Sequence, residues 1–331
     1  MVGSGQVGAV VTVGFHTSRE QLAPSAALAA VRAAEEAGFT AAMSSDHFSP
    51  WSARQGESGF AWSWLGAALQ ATSLPFGVVN APGQRYHPAI VAQAVATLGE
   101  LFPGRFWAAL GTGEASNEHV TGDAWPPKPL RQARLRECVD VIRALLAGEE
   151  VTHDGLVRVD RARLWTRPAE PPPLLGAAVT PETARWVGEW ADGLITVNQP
   201  VEVLRRVLDA FDEGGGAGKR RCVQVHVAWA PDEEEAQAIA YDQWRTNLHQ
   251  GDVNWDVELV EQFDELARFV RPDDVRAAVL VSADLNRHLA ALREIADLGV
   301  DELYVHHVGK EQQRFLDAFA GDVLPELVGR P

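Results

Sequence analysis

The sequence predicts an α/β protein, a single (β/α)8 TIM barrel with insertions, spanning residues 1–331. Three observations predict it. Short apolar runs rich in Val, Ile and Phe alternate with helix-period segments along the whole chain. No G-x-G-x-x-G follows the first run and no midpoint resets the order, as an open doubly wound sheet would require. Polar residues collect after the apolar runs rather than before them, which is where a barrel keeps its chemistry.

Each element follows from its residues. "QVGAVVTVGF" (6–15) is the first strand, and "SAALAAVRAAEEAG" (25–38) a helix with Ser25 as its cap and Gly38 as its stop. "TAAMSS" (40–45) is strand two, "WSWLGAALQAT" (62–72) a helix and "LPFGVVN" (74–80) strand three. "HPAIVAQAVATLGELF" (87–102) is a helix with Pro88 early, where its missing N–H costs nothing. "RFWAALG" (105–111) is strand four, and residues 130–148 form a long helix closed by Gly148. The alternation on either side of Asp154–Gly155 predicts a hairpin, one of two insertions, near 149–166 and 249–275. Strands five, six and seven are "PPPLLGAAV", "DGLITV" and "RCVQVHVAWA", with helices between them. "AAVLVSAD" (277–284) is an extra strand or part of a connection. "DELYVHHV" (301–308) is strand eight, and a closing helix follows.

Composition narrows the function classes. Hydrophobic residues are 46% of the 331, enough for a sizeable core. A net charge of −16 lacks the basic footprint of nucleic-acid binding. No apolar run reaches the roughly 18 residues of a membrane span, so a cytoplasmic location is expected. The two cysteines, Cys138 and Cys222, lie far apart in apolar stretches and read as buried reduced thiols. No metal motif occurs, and no metal is expected.

The candidate site gathers at strand ends. Strand two ends in "SSDHFSPW", with Asp46, His47 and Trp51; strand three ends in Asn80; strand four runs into "GTGEASNEH", with Thr112, Glu114 and Asn117. A histidine beside a carboxylate suits proton transfer at neutral pH. Asp46 can equally cap a turn, and His47 can be a satisfied half-buried histidine. Asp123 and Glu233 to Glu235 read as solvated or helix-start charges, and His87 as structural. On a strand His306 and His307 face opposite ways, so at most one points inward.

With these residues in view, the chain resembles the luciferase-like (bacterial luciferase) superfamily of flavin and deazaflavin oxidoreductases. It is closest to the branch of F420-dependent glucose-6-phosphate dehydrogenases. The resemblance rests on "SDHFSPW", "RYHPAIVAQAVATLGELFPGR", "GTGEASNE", "ADGLI" and "QQRFL", in order over nearly the whole chain. It implies hydride transfer between a small organic substrate and coenzyme F420, with FMN-dependent oxidation and non-catalytic flavin binding as the alternatives. By matching position, His47 would be the general base on a substrate hydroxyl, Glu114 an acid beside the cofactor ring, and Trp51 a wall of the substrate pocket. Asp46 would bind the polar edge of the ring or orient its neighbours, and Thr112 and Asn117 would bind beside the ring. A cis peptide between Val78 and Val79 would press on the ring's back face. Val179 and Thr180 would grip the cofactor phosphate where the family carries paired glycines. The resemblance also implies a homodimer. The lysines that the sugar-phosphate enzymes use for substrate phosphate are missing: the matching stretches are "TVNQP" and "VRAAVLVSAD". Trp51, Trp62 and Trp64 suggest an apolar or unphosphorylated substrate.

Overall fold

A computed structural model describes residues 11–248 and 253–328. The strands are β1 Thr12–His16, β2 Ala41–Ser45, β3 Phe76–Asn80, β4 Phe106–Leu110, β5 Val151–Asp154, β6 Arg158–Ala162, β7 Leu174–Ala177, β8 Gly193–Val197, β9 Arg220–Ala228, β10 Leu280–Val281 and β11 Glu302–His307. Helices α1 Pro24–Ala37, α2 Ala61–Ala71, α3 Pro88–Leu101, α4 Ala115–Glu118, α5 Lys128–Ala147, α6 Pro181–Gly188 and α7 Val201–Phe211 fill the first two thirds. The last third has α8 Glu233–Trp244, α9 Val253–Asp256, α10 Val260–Leu266, α11 Leu285–Ala296, α12 Gln313–Asp322 and α13 Leu324–Leu327.

Eight parallel strands, β1-β2-β3-β4-β7-β8-β9-β11, pair in that order, and β11 pairs back with β1. The expected barrel is therefore closed. β5 and β6 form the expected hairpin outside it. β10 settles the open choice at 277–284: two residues of strand pair with Val227 and Ala228 at the end of β9, and the rest is connection. The first strand starts at Thr12; the part expected over 6–10 lies outside the described residues, as do 249–252 of the second insertion.

Local signals place the helix ends. Gly38 and Gly148 close α1 and α5 with φ of 104° and 94°, a left-handed turn that glycine enters without Cβ strain. Pro88 sits at the start of α3, with His87 Nδ1 accepting from Ala89 N at 3.2 Å, so His87 is a structural cap. Ser25 is not the cap of α1: Ala23 holds that position, and Pro24 at the first turn fixes the backbone instead.

The barrel interior below its mouth is filled. Met43, Trp107, Leu175, Ile195, Cys222 and Tyr304 form one buried cluster. Gly77 and Gly14 are required here by close approach. A Cβ on Gly77 would come within 1.9 Å of the Trp107 ring, and one on Gly14 within 2.4 Å of Tyr304. Truncating Trp107 to Ala would cost about 3–5 kcal/mol by the usual scale for buried aromatics. A plugged barrel leaves its mouth, at the carboxyl ends of the strands, for ligands.

Candidate active site

The site is built on four neighbouring strand ends. From β1 the chain runs through Thr17, Ser18, Arg19, Glu20 and Gln21, all buried. Arg19 is 1% exposed and donates Nε to Ser44 Oγ at 3.2 Å, with further bonds to the carbonyls of Ser45 and Gly59. Its guanidinium therefore fixes the end of β2 and the loop beyond. Out of that end comes His47, whose Nδ1 lies 2.7 Å from Glu20 Oε1. On its other side, Nε2 lies 3.9 Å from Glu114 Oε2, at the end of β4. Trp51 stands edge-on to the His47 ring, with centroids 5.6 Å apart.

Asn117 locks the two loops together. Its Oδ1 accepts from Phe48 N at 2.8 Å and Ser49 N at 3.2 Å, while its Nδ2 donates to Glu114 Oε2 at 3.0 Å. Asp46 is buried: it accepts from Asn80 Nδ2 at 2.7 Å and Tyr86 Oη at 3.2 Å, and pairs with Arg85 at 3.6 Å. Arg85 also donates to the Asp46 carbonyl and lies 3.6 Å from Glu118. All of these contacts of the Asp46 carboxylate are to protein side chains.

These contacts set the proton affinities. Burial pushes the His47 imidazole down, but the Glu20 and Glu114 carboxylates outweigh it, and its pKa is raised. Burial pushes the Glu114 carboxyl up, and the charges of Glu20 and Glu118 add to this against His47 and Arg85, giving about 7. For Glu20 burial is outweighed by His47 and Arg19, so its carboxyl stays well below the usual range. The arrangement is a fixed carboxylate, an imidazole and a carboxyl poised near neutrality, a chain that can give or take one proton.

The other expected residues are placed less directly. Thr112 follows β4 on the rim, next to Gly111 and Gly113 and half-buried. Val78 and Val79 pair in ordinary parallel register with Ser44 and Ser45 and with Ala108 and Ala109. Their peptide bond is trans, and no cis peptide occurs among the described residues. The expected cis bond is overturned: the ladder on both sides of β3 is satisfied with the ordinary trans form, and a cis bond would cost about 3–4 kcal/mol. Val79, half-buried, still faces the mouth. Val179 and Thr180 follow β7 at the same end of the barrel. Thr180 caps α6, its hydroxyl accepting from Thr183 N at 3.3 Å, and Val179 O accepts from Gln199 at 3.1 Å. No hydrogen bond or ion pair among the described residues links them to His47. Trp62 and Trp64 do not join Trp51. Trp64 is core, packed on Phe76 and bonded to Pro24 O, and Trp62 packs on Phe106, because α2 turns both rings toward the sheet's outer face.

Sequence reasoning missed Glu20. The signal was present, since Glu20 follows the first strand at its carboxyl end, but nothing in "HTSREQ" shows that the carboxylate turns back to His47. Of the paired histidines, His306 lies inside the mouth, 4.5 Å from His16 and 5.4 Å from His226 by ring centroid, while His307 stacks on Phe315 outside. Among the described residues no group of three or more His, Cys, Asp or Glu side chains is placed to hold a metal.

Fold and site together define a barrel enzyme with an acid–base chain at the ends of its first strands. The chain belongs to the luciferase-like monooxygenase family, whose model matches residues 6–302. It is 37% identical to an F420-dependent glucose-6-phosphate dehydrogenase of Intrasporangium calvum, over 97% of this chain and 100% of the relative. It is 35% identical to the enzyme of that name from Nakamurella multipartita, over 96% of each. Among solved structures, an F420-dependent secondary alcohol dehydrogenase in complex with an F420–acetone adduct superposes with a TM-score of 0.90 and 28% identity, covering 96% of this chain and 99% of that one.

Proposed function

We propose that the protein is an oxidoreductase that moves a hydride between a small organic substrate and coenzyme F420. One observation carries the reading: His47 is held between a fixed carboxylate, Glu20, and a carboxyl poised near neutrality, Glu114. Binding alone needs no such chain, which argues against a non-catalytic flavin-binding protein. The residues around it fit a flat ring system. Val79, Gly111, Thr112, Gly113 and Ala177 are small or apolar, half-buried, and adjacent across β3, β4 and β7. The deazaflavin accepts or returns the hydride when bound there.

This chain's own residues do the rest. His47 takes the hydroxyl proton as a C–H bond of the alcohol breaks, and returns it in the reverse direction. Glu20 holds the ring orientation and stabilises the imidazolium. Glu114, protonated below about pH 7, offers a donor where charge develops on the cofactor ring. Asn117 fixes the distance between these two loops, and Trp51 shuts water from one side. Thr112 lies at the ring edge. Val179 and Thr180 stand where the cofactor's phosphate would meet the start of α6.

The substrate is an unphosphorylated alcohol. Where the sugar-phosphate enzymes carry lysine, this chain has Asn198 and Gln199, whose amides are already spent on Ala278 O, His226 N and Val179 O. Arg54 and Arg85 are paired with carboxylates. The protein works as a homodimer in the cytoplasm. Helices α2 and α3 contain one charged residue between them, Glu100, and Ile90 of α3 and Phe60 just before α2 are exposed, uncharged surface suited to a second copy. No helix among the described residues is long and apolar enough to cross a membrane, and both cysteines are free and buried.

The test is cofactor binding followed by turnover. F420 binds, read by its fluorescence, and FMN does not. Secondary alcohols bleach the F420 absorbance, and glucose 6-phosphate does so far more slowly. Binding of FMN in preference to F420 would replace this reading with a flavin-dependent oxidation, and efficient oxidation of glucose 6-phosphate would overturn the substrate assignment. Sedimentation or light scattering of the pure protein checks the dimer.

A further inference from the structure

We propose that Phe263 and Asp264 of α10 are positioning residues for the base-bearing loop, so that the second insertion sets the geometry of a site it does not line. The inference rests on the reading of His47 and Trp51 given above.

The loop after β2 carries both residues. Its near side is held locally, by Asn117 and by Ser58 Oγ donating to His47 O at 2.8 Å. Its far side has turn bonds of its own, Gln55 N to Ser52 O at 3.0 Å and Arg54 N to Ser52 Oγ at 3.2 Å, and is tied to the barrel from a distance. There Asp264, 212 residues away in the chain, accepts from Ser52 Oγ at 2.7 Å and from Ala53 N at 3.0 Å, and pairs with Arg54 at 2.9 Å. All three partners come directly after Trp51. Next to Asp264, the fully buried Phe263 meets the Trp51 ring edge-on at 5.2 Å, and Trp51 meets His47 in the same way. Gln55, also fully buried, completes the tie: its Oε1 accepts from Trp51 N at 2.8 Å and its Nε2 donates to Gln243 O at 3.1 Å. Arg54 adds a bond to Asp242 O at 3.0 Å.

The clamp therefore joins the loop after β2 to elements that follow β9, three strands round the barrel. The turn's own hydrogen bonds shape residues 52–55 but give the Trp51 indole no fixed position against the barrel. Three hydrogen-bonded or charged contacts to one carboxylate, plus a buried aromatic edge, give it one. Hydride transfer is sensitive to such placement, because misplacing a catalytic group by about 1 Å can cost about 10²-fold in rate. Asp264 touches none of the reacting groups; it acts through Trp51 and the loop.

Three variants test this: Asp264→Ala, Phe263→Ala, which changes no charge, and Ser52→Ala, which deletes the 2.7 Å bond to Asp264 and the acceptor of Arg54 N while leaving the other two Asp264 contacts. Hydrogen exchange of peptides covering 47–55 should speed up by about fivefold or more, with the barrel strands unchanged. The second readout is the NMR titration of His47, which is faced by Glu20 from the β1 loop, Glu114 from the β4 loop and Arg85 from the β3 loop. Once the loop loosens and the approach to Glu20 lengthens, His47 should release its proton at lower pH. With F420 and an alcohol, kcat should fall about tenfold while cofactor affinity stays within about twofold. Unchanged exchange and an unchanged titration in Phe263→Ala overturn the proposal. If Asp264→Ala melts the whole protein, Ser52→Ala decides by the same exchange measurement. Neither exchange nor titration needs cofactor, so failure of the wild type to bind F420 defeats the proposed function and leaves this inference standing.

Discussion

His47 on the β2 side of the barrel mouth is half-buried and His16, His226 and His306 on the β9–β11–β1 side are buried, and their proton affinities shift in opposite directions. Burial lowers all four. His16 falls to about 4, His226 to about 3, and His306 well below its ordinary value. Only His47 rises, because a carboxylate stands 2.7 Å from it and a second at 3.9 Å. Glu20 also favours a charged His16, but it does not offset the burial, and its ring nitrogens have no partner. One wall of the mouth is therefore charged and able to carry protons. The adjoining wall, from β9 through β11 to β1, is neutral, and Trp244 packs on it. Direct contact with a carboxylate outweighs burial at His47, and without such contact burial decides at the other three.

Breaking the charged wall at its centre gives the largest effect. His47→Ala should lower turnover by about 10²–10⁴-fold while F420 affinity, read by fluorescence, changes little. A full rate in this variant would return His47 to the class of His16. Glu20→Gln should make His47 behave more like the neutral three. Its largest stabilising charge is gone, so its pKa should drop toward 6.5 by NMR titration, and turnover should fall about 10–100-fold as the ring loses its orientation. Glu114→Gln keeps shape and a donor but removes the second carboxylate. His47 then loses its proton at lower pH, so the limb of the rate profile that reports the free base should move to more acidic pH, while ring binding persists.

The neutral wall is sharpened through stability. In the unfolded chain its histidines take up protons near 6.5, whereas in the folded protein they resist down to about 4 for His16 and about 3 for His226. The unfolded state thus binds more protons as pH falls below 6.5, and native stability should decline from there to about pH 3. His226→Leu should flatten that decline in urea unfolding measured at pH 7 and pH 5. The same variant should leave the limbs of the pH–rate profile where they are, the smallest effect of the set.

The site was legible where strand ends carry it. Asp46, His47, Trp51, Glu114 and Asn117 all follow apolar runs that had to be barrel strands, and the structure joins them into one network through named contacts. Val78 and Val79 were placed in the right strand with the wrong peptide geometry, since nothing in "VVN" fixes ω. Trp62 and Trp64 were grouped with Trp51 by residue type, and helical phase turned them away.

By itself the sequence determined the alternation of strand and helix, the closed parallel barrel it requires, and the end of that barrel where polar groups meet. Those follow from local periodicity, turn residues and the direction of each βα unit, which are properties of short segments. Only the tertiary structure decided that Glu20 faces His47, that three histidines on the adjoining strands stay neutral, and that Asp264 grips a loop 212 residues away. These depend on distances between segments remote in the chain, and the field at a buried group is set by those distances rather than by its neighbours in sequence.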